Sequence, residues 1–251
     1  MAWGDIGVLS EREKIEFDVL NIMKGSVQPM GCGSISAKMN ILGHSISEAT
    51  IGRILRDLDA AGYTDKAGYQ GRCLSFRGFG RVTELSTKER WLMLGTELIG
   101  AVQGHTKEQL LEVLIARRAI EGELAYLAAS NATDEDKIRL RAALDRQRDS
   151  MGRGDGSAEG DVEFHNIIAG MACNRVLATA IALIRQDTQL SPSLEYIRRH
   201  VKRLTLVDHK KIYNGIIHTN PIEAKEAMIE HINNLILDVE KYWKKIIKIK
   251  S

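Results

Sequence analysis

From residue 87 almost to the end of the chain, apolar residues recur at spacings of three and four, and proline occurs only three times in 251 residues. That period places the apolar side chains on one stripe of each helix, and each stripe must be buried against another helix. A packed all-α bundle is the arrangement this pattern permits. The spacing predicts helices over 87–103, 107–130, 133–150, 158–173, 175–188, 191–217 and 222–247. Thr133 can cap the third of these, with Asp134 and Glu135 placed to suit the positive end of its dipole. Asn220-Pro221 marks the start of the last. MGRGDGSAEG (151–160) reads as a polar loop, and the Arg-Gly-Asp within it as chance.

The first 86 residues read differently. EREKIEFDVLNIMK (11–24) puts Ile15, Val19, Leu20 and Met23 on one helix face, and Gly25 suits its C-terminal cap. A short helical segment, SISAKMNI, follows a Gly-rich stretch. After a turn at Gly43–Ser45, Ser45 or Ser47 can cap SEATIGRILRDLDAAG, which stops at Gly62 with Ile51, Ile54, Leu55 and Leu58 inward. Short β-prone pieces alternating with glycine then predict a hairpin over 66–81. Three helices followed by a hairpin is the winged-helix arrangement. The expected fold is therefore mainly α, with a winged helix-turn-helix over 1–86, a linker helix over 87–106 and an antiparallel all-α bundle over 107–251.

Burying that apolar face of the third helix leaves Ser47, Thr50, Arg53 and Arg56 outside, residue types suited to phosphates and base edges in the major groove. The predicted hairpin carries Lys66, Arg72, Arg77 and Arg81 and no acid, in a chain whose formal net charge is only +2. A local basic wing points to double-stranded DNA as partner. The competing reading is a solvated hairpin on a module that binds protein. Two-fold symmetric operators need two recognition helices, so a homodimer is expected. The Lys-rich C-terminus reads as a solvated helix end. Cys32, Cys73 and Cys173 are odd in number and form no Cys-x-x-Cys, which suits a reducing cytoplasm. No apolar run is long enough for a bilayer span, and no membrane association is expected.

The residues that carry chemistry lie in the helical part. Asp161 and His165 are one turn apart in GDVEFHNIIAGMAC, and their stripe continues through Ile168 and Ala172. His209 shares a face with Leu204, Ile212 and Ile216. His231 shares one with Ala224, Ala227, Met228 and Leu235. Polar groups on three apolar stripes converge on a bundle core, and one Asp with three His suits a divalent transition metal such as Zn²⁺ or Ni²⁺. Taken singly, each histidine is more simply a hydrogen-bonded core residue.

These same stretches resemble the FCD sensor domain of FadR-type GntR regulators over 107–243. The likeness runs through EVLIARRAIEGELAYLAASNATDED, with Arg117 and Glu121. It continues in DVEFHNIIAGMACNRVL, with Asp161, Phe164, His165 and Asn174, and in DHKKIYNGIIHTNPIEAKEAMIEHI, with His209 and His231. The resemblance implies an antiparallel helical bundle with a metal at its centre, held by Asp161, His165, His209 and His231. It also implies a small organic acid as effector, with Arg117, Glu121 and Asn174 in its site and Arg117 on the carboxylate. An ion pair between Arg117 and Glu121 is the alternative for that residue. The Leu-Pro-Ser-Glu-Arg stretch usual in the family's N-terminal module is missing, so the winged helix here is of a more general type. The expectation is a transcription regulator and not an enzyme. The alternatives are a metal-dependent hydrolase, against which no general base is evident beside the ligands, and a purely structural helical domain.

Overall fold

A computed structural model describes residues 9–103, 106–152, 158–186, 190–201 and 205–250. The chain divides into two compact units between Glu97 and Leu98.

The first unit opens with α1 (Glu11–Lys24), α2 (Cys32–Ile41) and α3 (Glu48–Ala60). Ser10 caps α1 through a reciprocal box: its hydroxyl accepts from the Glu13 amide at 3.2 Å, and the Glu13 carboxylate accepts from the Ser10 amide at 2.8 Å. Ser47 caps α3 by accepting from the Thr50 amide. Val19, Leu20, Ile35, Met39, Ile51 and Leu55 close the core of this unit with no exposed surface. Ile54 lies at its margin, partly buried.

Two short strands follow, β1 (Thr64–Lys66) and β2 (Arg72–Leu74), paired antiparallel with Asp65 opposite Cys73 and joined through one 3-10 turn at Gly68–Gln70. The hairpin expected over 66–81 is thus cut short, because a helix starts at residue 76. The Ser75 hydroxyl accepts from the Gly78 amide at 3.0 Å and donates to the Gly62 carbonyl at 2.7 Å, a cap that turns the chain into α4 (Phe76–Val102). Gly78 is obligatory there: a Cβ would stand 2.1 Å from the Tyr63 carbonyl oxygen. Arg77 and Arg81 consequently belong to a helix and not to the wing.

The second unit consists of α5 (Lys107–Asn131), α6 (Asp134–Gly152), α7 (Ala158–Met171), α8 (Arg175–Arg185), α9 (Leu190–Val201), α10 (Thr205–Ile217) and α11 (Pro221–Lys250). Leu114, Leu124, Phe164, Ile212, Ile216, Met228 and Ile232 form its core, each at most 1% exposed. Gly215 lets α10 press onto the first turn of α11, where a Cβ would meet the Ala224 nitrogen at 2.6 Å. Thr219, at φ 54°, turns the chain between these two helices.

Of the single helix expected over 191–217, the described residues form α9 and α10, and residues 202–204 lie outside the described residues. Arg198 of α9 and His209 of α10 both approach Oδ1 of Asp161, at 3.4 and 3.5 Å. The Arg-Gly-Asp triplet at 153–155 lies outside the described residues. The three cysteines are free. Among the described residues no helix is long and apolar enough to cross a membrane.

Candidate metal centre

α7 supplies Asp161 and His165, α10 supplies His209 and α11 supplies His231. One ligand atom from each lies within 4.8 Å of the others, and all four residues are buried. Helical spacing brings the α7 pair to one face, and the tight α10–α11 turn carries His209 and His231 into the same layer of the bundle. Phe164 walls the cluster, stacked on His209 at 4.3 Å and edge-on to His165 at 5.7 Å.

Each imidazole presents one nitrogen to an oxygen. Nδ1 of His165 meets the Glu121 carboxylate, Nδ1 of His209 is 2.8 Å from Oε1 of Gln147, and Nδ1 of His231 is 3.5 Å from Oδ2 of Asp208. All three Nε2 atoms are buried and without a hydrogen-bond partner, as are Nδ1 of His165 and of His231; Nδ1 of His209 is hydrogen-bonded to Gln147. Outer oxygens of this kind fix the tautomer and aim the ring of a metal-ligating histidine. Burial pushes His165 down to about 4 and lowers His209 and His231 as well, so the rings are neutral at pH 7, the protonation state a metal needs. For Asp161, burial acts upward but is outweighed, first by Arg198 and then by His165 and Arg185. The carboxyl stays well below its usual range and is ionised.

Orphaned buried nitrogens on three imidazoles, beside an ionised carboxylate, are a donor set that could hold a metal ion. Against the hydrolase alternative, Glu163 points away from the cluster and pairs with Arg146 at the surface.

The surroundings hold more charge than the sequence pattern led one to expect. Arg117 donates Nε to Glu121 at 2.6 Å and is 1% exposed, so the ion pair forms in the interior and not on a solvated face. Arg185 bridges the same Glu121 and Oδ2 of Asp161, the latter at 2.8 Å. Arg198 reaches Oδ1 of Asp161 from α9. Glu121 therefore orients His165 and neutralises arginines. Asn174 caps α8, its side-chain oxygen accepting from the Leu177 amide at 3.1 Å. Sequence reasoning passed over Arg185, Arg198, Gln147 and Asp208. Arg185 follows Ile181 by four, Arg198 follows Leu194 by four and Gln147 follows Ala143 by four, so the stripe rule that selected the histidines would also have selected these three.

In the first unit, Ser47, Arg53 and Arg56 are exposed on α3 and Thr50 is half-buried beside them. Arg53 lies 3.4 Å from the Thr50 hydroxyl. Lys66 is exposed, 3.8 Å from Asp59. Arg72 is held by the same carboxylate at 2.9 and 3.0 Å. Arg77 lies over the Tyr63 ring at 5.5 Å.

Residues 112–234 match the family described as FCD domain, and residues 17–81 match the Ribonuclease R winged-helix domain. The Uxu operon transcriptional regulator of Escherichia coli K12 is 34% identical over 134 residues, which are 49% of this chain and 51% of that protein. The Exu regulon transcriptional regulator of the same strain is 29% identical over 127 residues, 49% of this chain and 48% of its own length. The chain thus spans about half the length of the curated relatives it matches. A GntR-family regulator from Pseudomonas syringae pv. tomato superposes with a TM-score of 0.49 at 13% identity, covering 96% of this chain and 99% of that one; the assignment does not rest on it. The FCD match encloses Arg117, Glu121 and all four residues of the buried cluster: residues 112–234 carry an FCD domain, and a stretch similar to a winged-helix domain precedes it in the chain.

Proposed function

We propose that this protein is a DNA-binding transcription regulator whose affinity for double-stranded DNA is set by a small carboxylate effector held at a divalent-metal site in the second unit. The convergence of Asp161, His165, His209 and His231 in a buried core carries the reading. A bound ion would supply a cationic point to which an effector carboxylate can attach. The chain's own residues do the rest. Glu121, Gln147 and Asp208 aim the imidazoles. Nη2 of Arg117 and Nε of Arg185 are buried with no hydrogen-bond partner, while both guanidiniums already touch Glu121. Unsatisfied buried donors are costly, and an anionic ligand between them removes the cost. Asn174 stays with its helix cap in this reading.

DNA contact is assigned to Ser47, Thr50, Arg53 and Arg56 on α3, with Lys66 beside them. A homodimer presents two such helices to a two-fold site. Effector binding changes DNA affinity only to the extent that it favours one arrangement of the dimer over the other. Acting on chromosomal DNA places the protein in the cytoplasm.

The test is the metal content of purified protein, wild type against a His165→Ala/His231→Ala variant. About one transition-metal ion per chain, lost in the variant, is expected of a single four-ligand site. No ion, even after incubation with Zn²⁺ or Ni²⁺, would sink the sensor reading. With metal bound, a panel of small hydroxy- and keto-acids is screened by thermal shift. Arg185→Met abolishes any stabilisation they give.

A further inference from the structure

The wing looks strongly basic in the sequence, yet its charges are spent inside the first unit. Asp59 on α3 takes the Arg72 guanidinium through both carboxylate oxygens and stands 3.8 Å from the Lys66 ammonium. Arg81 is engaged by Glu16 and Glu84. Asp65, exposed on β1, adds a further negative charge next to Lys66. With Asp59 of α3 counted, Asp59 and Asp65 balance the two cations of the strands, Lys66 and Arg72.

What the wing does present is Tyr69. It sits in the 3-10 turn at the apex, fully exposed. The turn beneath it is fixed. The Ala67 amide donates to the Gly71 carbonyl at 2.9 Å, and the Gln70 amide to the Ala67 carbonyl at 3.2 Å. Gly71 has a φ of 124° and lies so close to Met30 that a Cβ would be 2.4 Å from its carbonyl carbon and oxygen. Met30 in turn exchanges both backbone hydrogen bonds with Arg72, at 2.9 and 3.0 Å. The strands are keyed to α3 itself, since Asp59 also accepts from the Thr64 hydroxyl at 2.6 Å. Asp59 therefore neutralises the wing and locks it to the helix that carries Arg53 and Arg56.

We infer that Tyr69 is the wing's DNA contact, its ring entering the minor groove beside the major-groove site of α3, and that the wing contributes by apolar and stacking contact instead of phosphate neutralisation. This rests on the DNA-binding reading above. A lone exposed tyrosine is ordinary on a surface; this one crowns a turn made rigid by backbone packing, on an element locked to α3. A ring on a fixed turn brings contact area at small entropic cost, and apolar side chains that enter the minor groove part base steps there. Ring contact releases no counterions, so it leaves the salt dependence of binding unchanged, whereas each lost phosphate contact makes it shallower.

The experiment uses the full chain and a duplex enriched from a random pool by the wild-type protein. Binding is titrated by fluorescence anisotropy between 50 and 200 mM salt, with folding checked by circular dichroism. Tyr69→Ala is expected to weaken binding about tenfold at every salt concentration with an unchanged slope, on the scale of one lost base–aromatic contact. Tyr69→Phe keeps most of the affinity. Arg53→Ala weakens binding and lowers the slope by about one. Methylation of adenine N3 in the flanking minor groove interferes with wild-type binding and not with Tyr69→Ala. Affinity of Tyr69→Ala within twofold of wild type, or a loss confined to low salt, overturns the inference while leaving DNA binding intact. Failure to enrich any duplex overturns the DNA reading itself.

Discussion

Replacing Glu121 by glutamine tests how the buried centre is held together. The Glu121 carboxylate receives Nε of Arg117 at 2.6 Å, faces Nη1 of Arg185 at 3.4 Å and touches Nδ1 of His165. Arg117 is 1% exposed and Arg185 7%, so water screens neither. Glutamine keeps the shape and leaves two interior guanidiniums short of one anion. Removing one partner of a buried pair costs about 3–5 kcal/mol. The amide oxygen still accepts from Arg117, which places the loss near the lower end, about 3 kcal/mol. For a unit of roughly 150 residues, with 1 kcal/mol worth about 2–4 °C, the melting temperature should fall by about 6–12 °C. The assay is thermal unfolding followed at 222 nm, in metal-free buffer at pH 7. Arg185→Met on the Glu121→Gln background removes the surplus positive charge, so the double variant should lose less than the sum of the two single losses. A fall of under about 2 °C, or strict additivity, would refute the claim that Glu121 holds the arginines by charge.

Three other perturbations separate roles within each unit. Glu13 is held down to about 2, first by the Ser10 amide and then by Lys88, against an ordinary 4.5. A depressed carboxyl stabilises the fold fully above its unfolded value and ceases to do so as pH falls through the folded one. The first unit should thus lose about 1 kcal/mol between pH 4.5 and 2, allowing for solvent screening of a partly exposed pair. In Glu13→Gln, the acid limb of a urea-stability profile should be flatter, and an identical limb would count against the assignment. Gly71→Ala should destabilise the first unit by about 1–3 kcal/mol, through strain and the clash with Met30; an unchanged urea midpoint would contradict this. Asn174→Ala should cost about 1 kcal/mol by loss of the α8 cap, and leave the stabilisation by an organic acid intact. A lost response would return Asn174 to the effector site.

The helices were legible because burial imposes a period, and the histidines because they interrupt it on the buried side. Arg185 and Arg198 interrupt it in the same way, but a long guanidinium stem can lie along apolar surface with its head in water, so a stripe position alone does not put an arginine inside. What does so here is Asp161, which is 24 residues from one and 37 from the other. The wing failed for a related reason. Strands of three residues are too short for alternation to show, and the partner that neutralises Arg72 sits 13 residues earlier on a different element.

The energetic character of the centre also bears on what it is for. Three arginines, two carboxylates and three histidines share a buried space. Buried ion pairs of this kind are seldom more stable than well-packed apolar side chains of the same volume, because each charge must first be taken out of water. A bundle built for stability alone would fill the layer around Phe164 with leucine and isoleucine, as it does around Ile168, Ile212 and Met228. Instead, all three Nε2 atoms, Nδ1 of His165 and of His231, and two guanidinium nitrogens are left without hydrogen-bond partners. An oxygen nevertheless faces each Nδ1, from Glu121, Gln147 and Asp208, and one ligand atom from each ring and from Asp161 lies within 4.8 Å of the others. Rings backed by oxygens around one shared point are the arrangement a metal-ligating histidine needs, and a structural histidine cluster does not require it.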